Sequence, residues 1–406
     1  MRRRSLLSIA FVVFSLAAFA QVNCVYVPTS TVVGTLNGTL VRSEGKAELV
    51  SDALLTCTST ANQSLLVTID LFLNVNATSR ITGPGQLTDT LLLIDEPQPG
   101  VASLSNGFPY FGQVLGTPGI LAGNPGSGNV YQGTLVNDNQ IEWNQVPFVA
   151  NGTRTLRITN IRADANVIGP GNPINADIII SSPLSFSLNP SSITALATVK
   201  DGLKFSTSAP NLPGVLTLDF EEKFNSAFKK RIENTTGGPL TARRQDVPGA
   251  IYCTESGFTP EFSSVAPNAI GSATTGTRLL ANFENLPPNV FVLIVPNQVP
   301  SSSGKLVAHR VIPPIAADFT GGSVLVFPGF GLVPVSANHT AEILYEVTAA
   351  APFSGINGCA QLDGFKVNVF SVFPTSLQGA KVTGHFAPDD PTQKASPTAP
   401  TPRFVP

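Results

Sequence analysis

The sequence predicts an all-β fold: two β-sandwich-like domains, with one short amphipathic helix near residues 219–233. Three observations carry this. First, the 406 residues include 35 Gly and 34 Pro but only 12% charged residues, about half the usual share. Lys, Glu and Arg, which clothe helices, are scarce, whereas turn formers abound. Second, short stretches alternate apolar with polar residues, the period of a sheet with one wet face. Third, a 42% hydrophobic content and 25 Phe give the chain enough apolar mass to pack rather than remain disordered.

In chain order, Met1-Arg2-Arg3-Arg4 precedes an apolar run from Leu6 to Ala20, which ends on the small-residue pattern Ala18-Phe19-Ala20. That is a secretory signal peptide over residues 1–20. The run is too short to cross a bilayer, which takes about 20 apolar residues, and no later run is longer, so no transmembrane segment is expected. A lipid-modified Cys24 is the competing reading, and Asn23 before it fits poorly. Removing the signal and its three arginines leaves 21 basic against 26 acidic residues, a net charge of −5. Mild acidity argues against nucleic acid and against anionic membrane surfaces.

Residues 21–208 read as an N-terminal β-rich domain. Expected strands include Cys24–Val33, Leu54–Ser59, Leu65–Leu73, Ile141–Phe148, Thr155–Ile161 and Thr194–Ser206. Val136-Asn-Asp-Asn-Gln-Ile141 reads as a hairpin, because Asn and Asp tolerate turn geometry. Asp219-Phe-Glu-Glu222 fits a capping box. Phe220, Phe224, Ala227, Phe228 and Ile232 then fall on one helical face, ended by Gly237-Gly238-Pro239. Such a helix would dock a partner, plug a sandwich edge or join the domains. Residues 209–386 read as a C-terminal β-sandwich-like domain, with strands about ten residues apart. Residues 387–406, rich in Pro, Thr, Ser and Ala, read as a disordered tail or spacer.

Four cysteines remain after export: Cys24, Cys57, Cys253 and Cys359. An even count in an oxidising compartment implies disulfides, and one bridge per half, Cys24–Cys57 and Cys253–Cys359, is expected among three connectivities. Six glycosylation sequons occur, at Asn37, Asn62, Asn76, Asn151, Asn234 and Asn338, little above chance in a chain so rich in Ser and Thr.

Catalytic motifs are thin. His309, His339 and His385 lack metal-ligand spacing. Asp389 and Asp390 follow His385, but at the start of the tail. Ser302-Ser303-Gly304-Lys305 matches SxxK by letter only, in a loop rather than at a helix start. No GxSxG elbow or phosphate loop occurs. Carboxylates for sugar hydrolysis must face one another, and Asp70, Asp89, Asp95, Glu96, Glu142 and Asp177 are scattered along the sequence. Trp143, the only tryptophan, is the candidate platform on which a sugar could stack, against a place in the core or at an edge. No catalytic residue, metal site or cofactor is assigned.

Thr153-Arg-Thr-Leu-Arg-Ile-Thr-Asn-Ile-Arg-Ala-Asp-Ala165, Ala341-Glu-Ile-Leu-Tyr-Glu-Val-Thr348 and Thr401-Pro-Arg-Phe-Val-Pro406 resemble exported β-rich proteins of Acidobacteria-type soil bacteria. The resemblance covers a small part of the chain. It implies a bacterial, signal-bearing protein without an assigned activity, and supplies no catalytic residues. The expectation is therefore a secreted or cell-surface protein, structural or adhesive rather than enzymatic, whose partners are cell-surface or matrix components. An extracellular polysaccharide hydrolase and a carbohydrate-binding module are the alternatives.

Overall fold

The fold is that of a computed structural model. It describes residues 21–27, 39–95 (except 80, 82 and 83), 116–210 (except 123 and 127), 212–230 (except 213), 276–312, 323–349 (except 326), 362–372 and 377–386 (except 378). The protein is all-β, and its strands are divided among separate sheets. Among the described residues no helix is long and apolar enough to cross a membrane.

Eleven strands precede residue 201: β1 (Gln21–Val27), β2 (Thr39–Arg42), β3 (Glu48–Leu49), β4 (Ala53–Leu73), β5 (Leu87–Ile94), β6 (Val130–Asn137), β7 (Gln140–Thr159), β8 (Arg162–Ala163), β9 (Pro173–Ser181), β10 (Ser185–Asn189) and β11 (Ser192–Lys200). Nine form one sheet on the path β2-β11-β9-β4-β7-β5-β6, with β1 between β4 and β10, while β3 and β8 pair separately. Its spine is the antiparallel pair β4–β7, 21 and 20 residues long. The sequence suggests two strands in each of these stretches. Pairing instead continues past the mostly polar stretch Thr60–Ser64, across an irregularity between Ser59 and Gln63, because β7 supplies backbone partners on both sides of it. The expected hairpin forms: Asp138 and Asn139 turn between β6 and β7.

The first disulfide also forms. Cys24 and Cys57 stand directly opposite on β1 and β4 and are bonded, the S–S distance being 2.05 Å. Cys253 and Cys359 lie outside the described residues, as do residues 1–20 and 387–406.

Eleven strands follow: β12 (Leu203–Ser208), β13 (Val215–Glu222), β14 (Arg278–Glu284), β15 (Val292–Pro296), β16 (Gln298–Pro300), β17 (Leu306–Ile312), β18 (Ser323–Val324), β19 (Phe330–Pro334), β20 (Ala341–Ala349), β21 (Gly364–Ser371) and β22 (Lys381–Phe386). They make a five-stranded sheet, β12-β13-β21-β15-β19, and a six-stranded one built on β16-β17-β20-β14-β22. Leu218, Phe220, Phe365 and Val367 of the first share one core with Leu279, Phe283, Ile343 and Tyr345 of the second. The chain leaves the first core after Lys200 and enters the second at Leu203, so the single strand expected over Thr194–Ser206 is two strands in two sheets.

The helix near 219–233 is not there. Asp219–Glu222 ends β13, residues 223–228 are turns and bends, and 231–233 lie outside the described residues. Leu216, Leu218, Phe220 and Glu222 alternate inward with period two, and β13 has a partner on each side. Two flanking strands satisfy its backbone groups, which overrides the local capping pattern. Phe220, Phe224, Ala227 and Phe228 are all buried, as one apolar face requires, but a strand and a turn bury them.

Candidate functional site

An exposed apolar row is built by strand alternation on the five-stranded sheet. On β15 and β21, Leu293, Val295, Phe365, Val367 and Val369 point into the core. Their neighbours must therefore point out. Cross-strand register lines these up: Val215 opposite Phe370, Phe370 opposite Ile294, Ile294 opposite Leu332. The next row places Pro296 opposite Phe330, whose ring meets that of Phe370 edge-on at 6.1 Å. Phe330 and Leu332, on the outermost strand β19, are 66% and 63% exposed, and Val372 is also exposed. The six-stranded sheet differs: its outward Leu280, Leu344 and Val311 are buried.

The β12–β13 side of the same face is charged and balanced. Lys204 pairs with Glu221 at 2.6 Å and Lys366 with Asp219 at 3.6 Å. The sheet thus presents an apolar half beside a charged half with no net charge.

A cleft of about 500 Å³ opens beside the charged half, lined by Asp219, Glu221, Glu222, Ser302, Asp363 and Lys366 among others. Glu222 and Asp363 come together here, a pairing the sequence did not suggest. Burial raises the Glu222 carboxyl to about 7, against the pull of its hydrogen bonds. Asp363 is held below its ordinary value: burial opposes this, and hydrogen bonds from Ser303, Ser301 and Ser302 outweigh it. Divergent carboxyls in a cleft are a pattern of acid–base sites. Here, however, their oxygens are occupied. Glu222 accepts the N–H groups of Phe228 (2.6 Å) and Asp363 (2.9 Å). Asp363 accepts the Ser302 and Ser303 hydroxyls at 2.9 and 2.6 Å and the Ser303 N–H at 3.1 Å. The arrangement fastens the turn before β17, and that turn is what Ser302–Lys305 is.

The other expected residues fare as follows. Trp143 is 1% exposed and its indole N–H donates to the Tyr131 carbonyl at 3.1 Å. It is a core residue of β7, with no face left for a sugar to stack on. Asp70 and Glu142 are brought together, opposite each other on β4 and β7 on the outer side of the sheet. Asp89 is buried, Asp95 pairs with Arg154 at 2.6 Å, Asp177 accepts the Ser192 hydroxyl, and Glu96 lies outside the described residues. His309 on β17, His339 in a turn and His385 on β22 stay apart, and His385 borders a second cleft of about 310 Å³ with Glu44 and Phe205. Among the described residues no three His, Cys, Asp or Glu side chains are grouped to hold a metal ion.

Sequence reasoning missed β19. Phe330-Gly-Leu-Val-Pro334 carries apolar residues two apart, the only signal available, between glycines and prolines that read as loop.

No family model matches the chain, and no curated protein is detectably similar to it. Among solved structures, the CupB6 tip adhesin of Pseudomonas aeruginosa aligns over 91% of this chain and 96% of its own, at 6% identity and a TM-score of 0.15. The coconut allergen cocosin aligns over 86% of each chain, at 10% identity and a TM-score of 0.15. Likenesses this slight bear on neither fold nor function.

Proposed function

We propose that this is an exported, non-enzymatic binding protein of the cell surface or its matrix, acting through the outer face of the five-stranded sheet. The exposed row ending in Leu332 and Phe330 carries the reading. Large apolar side chains grouped on one exposed face are the mark of a contact surface. The amino-terminal signal pattern and the Cys24–Cys57 bridge support export, since such bridges persist in oxidising compartments. The engagement of the Glu222 oxygens by main-chain N–H groups and of the Asp363 oxygens by serine hydroxyls and an N–H favours binding over hydrolysis.

Beads carrying residues 21–406 are expected to adhere to envelope preparations of the producing cell. Beads carrying the double variant F330S/L332S are expected to be retained several-fold less, with an unchanged unfolding temperature, because both residues are exposed. Equal retention by the two would overturn the reading.

A further inference from the structure

The exposed apolar face raises the question of what covers it. We infer that its occupant is a second copy of this chain, packed face to face across the five-stranded sheets. The inference rests on reading that face as a contact surface, and goes further by naming the partner.

Strand addition at the β19 edge is the competing geometry, and two of the groups it would use are closed to it. Leu332 faces Ile294 without a backbone bond to β15, so its carbonyl turns to the open side, where Arg310 Nη2 donates to it at 2.8 Å. Arg310 comes from β17 in the opposite sheet and passes under Gly331. A Cβ at Gly331 would overlap Arg310 Nη1, so the glycine is required for the crossing. Pro334 contributes no N–H to an incoming strand. A capped carbonyl and a proline are standard protections of a sheet edge. The face remains, and sheets pack face to face about 10 Å apart with their side chains interleaved.

Two properties favour a second copy over a different partner. The first is charge. The polar half of the face holds two lysines and two acids in neighbouring pairs, Lys204–Glu221 and Lys366–Asp219. Such a surface is neutral and can complement itself under a two-fold axis, whereas a strongly charged partner finds no net opposite charge. The second is area. Phe330, Leu332 and Val372, with the half-buried Phe370, Ile294 and Val292 among them, present on the order of 500 Å² of apolar surface. Two copies then bury about 1,000 Å², the lower bound of a specific interface, which predicts a reversible dimer rather than an obligate one.

Sedimentation velocity of residues 21–406 over a range of micromolar concentrations tests this. The expected result is a concentration-dependent shift from monomer to dimer. In F330D/L332D self-association weakens by about tenfold or more, with the unfolding temperature unchanged. In F330W the emission moves to the blue as concentration rises, which places the contact on this face. A monomer at every concentration, or a dimer that persists in F330D/L332D, overturns the inference. Envelope retention separates the two readings. Beads of a strictly monomeric chain that still adhere through Phe330 and Leu332 leave the binding function standing and remove only the second copy.

Discussion

Glu48 and Glu222 are both buried glutamates, and both face residues 223–230, yet their charges are resolved in opposite ways. Glu48 belongs to the first core. Burial alone would raise its carboxyl, but the adjacent Arg42 and Lys229 charges bring it down to about 2. Arg42 reaches it through Nε and Nη2 at 2.9 and 2.5 Å, and Lys229 lies at 3.4 Å. Glu222 belongs to the second core; its carboxyl accepts two main-chain N–H groups, and these with the Arg42 charge pull it down too little, so burial prevails and raises it to about 7. Burial sets the cost of a charge, and a full opposite charge, rather than a dipole, offsets it. One turn is therefore held from one side by an ion cluster and from the other by a carboxyl that prefers to be neutral.

Removing Glu48 is expected to cost the most stability. Arg42 also donates to the Ala227 carbonyl at 3.1 Å and the Thr277 hydroxyl at 2.8 Å, and its guanidinium lies 5.4 Å from the centre of the Phe386 ring. These contacts tie the first core to the second. Glu48→Ala removes the buried carboxylate that Arg42 and Lys229 share. Urea unfolding at neutral pH is expected to show a loss of about 3–5 kcal/mol. A loss below about 1 kcal/mol, the range of exposed pairs, would mean that the cluster is open to water.

The opposite shifts also predict opposite pH dependences. The folded value of Glu222 lies above its ordinary 4.5, so its contribution is complete below about pH 4.5 and is lost as pH rises through about 7. Glu48, lowered from 4.5, contributes fully above about pH 4.5 and loses that contribution as pH falls towards 2. Unfolding measured from pH 4 to 8 is expected to show a decline of about 2–4 kcal/mol that belongs to Glu222. Glu222→Gln removes that part of the decline while leaving the acid limb in place. A variant with the wild-type slope would assign the decline to another group.

How much of this was legible in the sequence depends on the range of the interaction. Strands announced themselves where alternation is local, as in Leu65–Leu73, and so did the Asp138-Asn139 turn. Cys24 and Cys57 were readable because an even cysteine count behind an export-signal pattern predicts bridges without any knowledge of geometry. The spacing of Phe220, Phe224, Ala227 and Phe228 fits a helix and fits a strand running into a turn, and only pairing with β12 and β21 decides between them. Through Ala227 and the adjoining Lys229 that stretch meets Arg42 and Glu48, as a strand end and a turn rather than as a helix. Glu48 and Lys229 are separated by 181 residues, and no local pattern announces their contact. Phe330 and Leu332 were illegible for another reason: exposure belongs to the edge of a sheet, and sequence does not say which strand is outermost.

The smallest effect is expected at an exposed pair across the same junction. Asp201 and Lys223 bridge the same two regions at 3.0 Å, one on the link between β11 and β12 and the other at the start of the turn, but both are more than 40% exposed. The Lys223 and Ser43 hydrogen bonds hold Asp201 below the ordinary carboxylate range. Water screens this pair, so Asp201→Asn is expected to cost under about 1 kcal/mol, and to cost less still in high salt. If instead it rivals Glu48→Ala, the number of ties across the junction matters more than their burial. If it costs little, the same turn contains a buried charge cluster worth several kcal/mol and an exposed pair worth almost nothing, as access to water requires.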